Sequence, residues 1–103
     1  MVAHVGSWVY DLVADVMYLS AETCRIFGVP PGTTGSSATY LSRVHPDDRD
    51  RVGDEWLRVV DDGEPFNDQH RILVGSEVRW IRQIAEIERG ADGRPSRAIG
   101  TTQ

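Results

Sequence analysis

The stretch from Val44 to Gly63 reads as one helix with both ends marked, and it constrains what can surround it. Val-His-Pro-Asp-Asp-Arg opens the stretch and Val-Val-Asp-Asp-Gly closes it. Pro46 suits a first helical turn, where a missing N–H costs nothing. Asp47 and Asp48 set negative charge at the positive end of the helix dipole. Val52, Trp56, Val59 and Val60 recur at helical spacing, and Gly63 supplies the stop. The two acids beside His45 also invite an acid/base or metal-ligand reading. Neighbouring positions on a helix do not face each other, however, and no nucleophile or paired base accompanies them. Capping and dipole chemistry account for both acids, so the reading here is structural.

The flanking segments set the fold class. Residues 7–12 alternate Trp8, Tyr10 and Leu12 against Val9 and Asp11, as a half-buried strand does. A turn at Ala14 and Asp15 and a second strand over 16–19 complete a hairpin. Ser20 caps a short helix that runs to Phe27 and is ended by Gly28. Pro30, Pro31 and Gly32 then forbid regular structure, and 33–37 reads as a flexible polar loop. A helix over 38–44 leads into the long one. Strands follow over 66–74, 77–88 and 96–102, with turns at Gly75-Ser76 and over 90–95. The order is β-β-α-α-α-β-β-β. Such an order has no alternating βαβ units, so the fold is α+β with an antiparallel sheet and helices on one face.

Composition narrows the function. At 103 residues the chain supports one domain and one core, and 40% of it is apolar. Against 16 acidic residues stand 11 basic ones, all arginine and scattered, so no basic patch exists to hold nucleic acid. No apolar run reaches membrane-spanning length and no signal peptide opens the chain, so direct membrane contact is not expected. Cys24 stands alone, which excludes an internal disulfide and fits the reducing cytoplasm. An apolar start before Gly6 and a strand running to Gln103 predict a single module, residues 1–103, excised from a longer protein.

Six short motifs in order resemble the PAS sensory domain. They are Gly6-Ser7-Trp8 with Tyr10-Asp11-Leu12; Tyr18-Leu19-Ser20 with Arg25-Ile26-Phe27-Gly28; Val44-His45-Pro46-Asp47-Asp48-Arg49; His70-Arg71-Ile72; Arg79-Trp80-Ile81; and Asp92-Gly93-Arg94-Pro95 with Ile99-Gly100. The resemblance covers essentially the whole chain and is to the subgroup with Trp in its first strand. It implies a five-stranded antiparallel sheet with helices on one face, enclosing a cavity. It implies a non-catalytic bacterial sensor or dimerisation module that regulates an attached output domain. That output domain would be a histidine kinase or a cyclic-dinucleotide enzyme such as a diguanylate cyclase, and in many relatives a signalling helix follows the last strand.

Tyr10, Tyr18, Phe27, Tyr40, Trp56, Phe66 and Ile72 are the candidate lining of such a cavity. Either a small molecule occupies it or these side chains fill it, and the number of bulky aromatics favours the filled version. Asp68 and His70 share the face of Phe66 and Ile72 by the period of two. Two inward ionisable groups are costly unless paired, so we expect them to pair, in a polar pocket or an interface. An alternative reading is a small enzyme using Asp68 and His70 as an acid/base pair. No cofactor is predicted. In heme-binding relatives an axial His comes from the long helix, and none lies between Asp47 and Val60. Cys24 precedes the position of the flavin-adduct cysteine in light-sensing relatives and reads as a packed thiol. His45 reads as a cap, and His4 lies near the chain start. No metal site is assigned. The strand over 77–88 carries apolar residues on both parities, which predicts a homodimer through the outer sheet face and the apolar segment 2–5.

Overall fold

The structure, a computed structural model, describes residues 4–103. Its elements are β1 (Gly6–Asp11), β2 (Val16–Leu19), α1 (Ala21–Phe27), β3 (Thr34–Gly35), α2 (Ser37–Arg43), α3 (Pro46–Asp62), β4 (Phe66–Val74), β5 (Glu77–Arg89) and β6 (Pro95–Thr102). All strands pair antiparallel, in the spatial order β3-β2-β1-β6-β5-β4. The sheet therefore has six strands, not the expected five. The addition is β3, within the segment read as a flexible loop. Met17 pairs with Gly35 and Tyr18 with Thr34, so the free edge of β2 orders the chain before α2.

Local chemistry explains each helix. Ser20 Oγ accepts from the Thr23 N–H at the start of α1, and Gly28 closes it at φ 69°. Ser36 and Thr39 form a reciprocal capping box that starts α2. His45 Nδ1 accepts from the Asp47 N–H ahead of α3, Pro46 takes the first turn, and Gly63 at φ 71° ends it.

Asp48 departs from the expectation that it serves only the helix dipole. Its carboxylate accepts from the Arg71 backbone N–H at 2.9 Å and from Nε and Nη2 of the same residue at 3.0 and 2.8 Å. The His45 N–H donates to the Arg71 carbonyl at 2.9 Å. Arg71 lies on β4, an edge strand whose outward backbone groups would otherwise be open to pairing. The α2–α3 joint thus stands in for a missing strand. Arg49 completes it by donating to the carbonyls of Leu41, Ser42 and Val44 at the end of α2, where helix carbonyls run short of backbone donors.

Two apolar clusters form between helices and sheet. One joins Trp8, Tyr10, Val59, Phe66, Ala85 and Ala98. The other joins Phe27, Ile72 and Ile81, with Tyr40 packed against it. Along β4 the inward positions run Phe66, Asp68, His70, Ile72, and along β5 they run Ala85, Gln83, Ile81. A polar seam therefore separates the clusters. The Trp8 indole reaches it by lying across β6 at Gly100, its cross-strand partner.

Gly100 leaves no room for a side chain, since a β-carbon there would run into the indole and lie 2.6 Å from the Ile84 carbonyl. Gly100→Ala should therefore destabilise the fold by about 1–3 kcal/mol or more in urea denaturation, the range for overpacking. The Arg71 guanidinium and its hydrogen bonds hold the Asp48 carboxyl well below the usual carboxylate range. A carboxyl with a depressed folded pKa contributes fully above its unfolded value of about 4 and is lost as pH falls below it. Stability measured from pH 7 down to pH 3 should thus fall less steeply in Asp48→Asn, which starts from a lower value.

Candidate functional site

A cavity of about 580 Å³ lies between the sheet and α1–α3. Trp8 from β1, Met17 and Leu19 from β2, Phe27 from α1, Val52 and Trp56 from α3 and Phe66 from β4 form apolar walls. Arg43, Asp50 and Asp54 stand on the side where α2 meets α3. Four expected lining residues are on the wall: Phe27, Tyr40, Trp56 and Phe66. The aromatics bound the cavity rather than fill it, contrary to the version that their number favoured. Trp56 stacks edge-on against Phe66, and Phe27 lies tilted against Tyr40, so ring packs on ring around the space.

Five expected residues lie elsewhere. Tyr18 is 55% exposed, because pairing Trp8 with Leu19 and Tyr10 with Met17 turns Met17 and Leu19 inward and Tyr18 out. Tyr10 is buried beside Trp56, its hydroxyl donates to Asp15, and burial pushes its pKa up to about 12. Ile72 is enclosed in the second cluster. Asp68 and His70 sit behind the wall, where they pair: His70 Nδ1 and Asp68 Oδ2 are 2.8 Å apart.

That pair belongs to a longer chain of hydrogen bonds. Gln83 Oε1 accepts from Trp8 Nε1 at 3.0 Å and from Thr102 Oγ1 at 2.6 Å. Its Nε2 donates to the Tyr40 hydroxyl oxygen at 3.1 Å. The Tyr40 hydroxyl lies 2.7 Å from His70 Nε2, and Asp68 Oδ1 accepts from Arg51 Nη1 at 2.6 Å. An indole N–H can only donate, so Trp8 fixes which end of the amide is oxygen. Gln83 then donates to Tyr40, Tyr40 donates its one proton to His70, and His70 carries its own proton on Nδ1, toward Asp68. At the far end the Asp68 carboxylate, which only accepts, sets the proton on His70 Nδ1 and leaves Nε2 to accept from Tyr40.

His70 is fully buried, and burial lowers its pKa, against the pull of Asp68. Protonation would also leave the Tyr40 hydroxyl proton facing a second donor. Burial likewise raises the Tyr40 pKa. The acid/base reading of Asp68 and His70 thus has a pair but no access: both ring nitrogens are engaged, and Tyr40 stands between them and the cavity. Gln83 and Thr102 were missed at the sequence level. Gln83 was detectable, since it occupies the apolar parity of β5 between Ile81 and Ala85.

The residues present do not fit heme or a flavin adduct. No histidine lines the cavity: His45 caps α3, His4 pairs with Glu22, and His70 is spoken for. Cys24 is buried in α1 and is not on the wall. Among the described residues no cluster of three His, Cys, Asp or Glu side chains could hold a metal, and no helix is long and apolar enough to cross a membrane.

The outer sheet face is apolar in patches. Val78, Trp80 and Ile99 are exposed, and the Arg71 guanidinium lies 5.4 Å from the centre of the Trp80 ring. Of the segment expected to cover this face, residues 2 and 3 lie outside the described residues, and Val5 is exposed.

A histidine buried neutral takes up fewer protons than the unfolded chain, so its contribution to stability is lost as pH falls below the unfolded value of about 6.5. Folding stability should therefore decline from pH 7 to pH 5, where Asp48 is not yet titrating. In His70→Gln that decline should flatten, as read by urea midpoints across the range.

The PAS fold family model matches residues 16–102. Sensor protein FixL of Bradyrhizobium diazoefficiens is 32% identical over 90 residues, which is 86% of this chain and 18% of FixL. The chain therefore spans less than a fifth of that relative's length. Among solved structures, the N-terminal domain of a Marinobacter aquaeolei diguanylate cyclase with a PAS/PAC sensor superposes with a TM-score of 0.88. It is 21% identical, over 96% of this chain and 93% of that one. A sensory box histidine kinase/response regulator from Burkholderia thailandensis gives 0.83 at 24% identity, over 98% and 76%. The fold, the helix opening at His45-Pro46-Asp47-Asp48-Arg49 and the family match agree: this chain belongs to the PAS family.

Proposed function

We propose that this chain is a non-catalytic sensor of a small molecule within a bacterial signalling protein. The observation that carries the reading is the cavity itself, whose wall includes Gln83, bonded directly to Thr102 at the end of β6. A molecule that shifts Gln83 acts on the last strand without an intermediary. The output domain is a histidine kinase or a cyclic-dinucleotide enzyme, in keeping with the names of the relatives above. A reducing cytoplasm suits the buried free thiol of Cys24.

The protein works as a homodimer in this reading. Val9 and Ile99 are cross-strand partners on the outer face, with Trp80 and Val78 beyond them, and helices cover only the opposite face. A second subunit is the partner that would remove this surface from water.

Native mass spectrometry of the domain purified from its host reads both claims. The expected spectrum shows a dimer with extra mass that vanishes on denaturation. A monomer that stays monomeric at high concentration would overturn the dimer. A bare chain mass, with no rise in Tm when a host metabolite extract is added, would overturn small-molecule sensing in favour of a module that only relays motion.

A further inference from the structure

The donors and charges around the cavity restrict what it can take. Gln83 is 3% exposed and lies on the wall. A primary amide has two N–H donors. One goes to Tyr40, and among the described residues the other meets no acceptor. The amide cannot rotate to hide that N–H, because Trp8 and Thr102 both donate to its oxygen. Every other donor on the buried wall is engaged: the Trp8 N–H with Gln83, the Tyr40 hydroxyl with His70, the Thr23 hydroxyl with the Ser7 carbonyl. We propose that the cavity takes a neutral, mainly apolar molecule with one hydrogen-bond acceptor, such as a carbonyl, and that Gln83 binds that acceptor through its spare N–H. This rests on the reading of the cavity as a small-molecule site.

Neutrality follows from what surrounds the space. The inner wall carries no charged side chain, and a charged ligand would lose its hydration there without a partner. Charges stand only at the α2–α3 side, as Arg43, Arg49, Asp50 and Asp54. Arg49 is committed to three backbone carbonyls. Two carboxylates then face one uncommitted guanidinium, which does not favour an anion.

Three naphthalene probes of similar size separate the possibilities by fluorescence titration of the 103-residue chain. Prodan is neutral with a ketone acceptor, phenyl-naphthylamine is neutral without one, and anilinonaphthalene sulfonate is anionic. Binding to the cavity is the part abolished by Gly53→Leu, which places a side chain on the wall beside Leu41. Gln83→Glu, protonated in its buried site, keeps oxygens for Trp8 and Thr102 and one O–H for Tyr40 but has no second donor. If that variant does not fold, the native chain gives the answer with the 6-propyl analogue of prodan, which lacks only the ketone oxygen. We expect Gln83→Glu to weaken prodan about tenfold, the loss of one buried hydrogen bond, and to leave phenyl-naphthylamine within about twofold. The propyl analogue should bind the native chain about tenfold more weakly than prodan, and equal binding of the two would overturn the acceptor contact. The sulfonate should bind the native cavity at least about tenfold more weakly than the naphthylamine. Equal weakening of both neutral probes overturns the role of Gln83, and sulfonate binding as tight as naphthylamine overturns neutrality. Either result leaves the small-molecule site standing. If none of the three shows binding sensitive to Gly53→Leu, the inference and the small-molecule site fall together.

Discussion

The Trp8 indole crossing β6 to reach Gln83 is the contact on which the rest of the interior depends. It spans from β1 to β5 over Gly100, so three strands of the sheet are held by one ring and one amide. Because an indole N–H has no acceptor capacity, it also fixes the orientation of the Gln83 amide, while the Asp68 carboxylate at the other end fixes the His70 tautomer. Between these two ends Tyr40 on α2 accepts from Gln83 and donates to His70 on β4, and Arg51 on α3 donates to Asp68. A buried polar chain of this length is tolerable only when its atoms find partners, and within the described residues every buried side-chain nitrogen or oxygen has at least one, with a single N–H of Gln83 left over. The same chain separates the two apolar clusters.

The joint between α2 and α3 solves a different problem. β4 is an edge strand, and an uncovered edge invites pairing with another chain. Asp48 and His45 satisfy the N–H and carbonyl of Arg71, while Arg49 satisfies the end of α2. Three residues within one five-residue stretch thus join two helices and a strand through backbone groups left open at their ends and edge. Their value lies in geometry across the fold rather than in reactivity.

As a PAS domain the chain is a sensory rather than a catalytic module, and the arrangement of its polar groups accords with that. Tyr40 and His70 resemble catalytic partners in spacing alone. Their burial raises one pKa and lowers the other, away from the values that proton transfer at neutral pH requires. What the seam can do is hold position: it connects the cavity wall to the end of β6 through Gln83 and Thr102.

The amino-acid sequence by itself determined the three helices and the five longer strands, with their ends. Ser20, Gly28, Pro46 and Gly63 are local signals, and each acts within a turn or two of itself, so caps and stops were legible to within a residue or two. The inward parity of β4 was legible for the same reason, since a period of two needs no partner, and it paired Asp68 with His70 in advance. Parity also placed Phe66 inward, but it could not orient β2, whose four residues carry apolar side chains on both faces; only pairing with β1 turned Tyr18 outward. The short β3 exists because β2 had a free edge. Asp48 looked like a dipole residue until Arg71, distant in the chain, supplied its partner. Whether the aromatics filled the core or bounded a cavity was likewise decided by tertiary packing, because volume left over between layers belongs to no single segment of the chain.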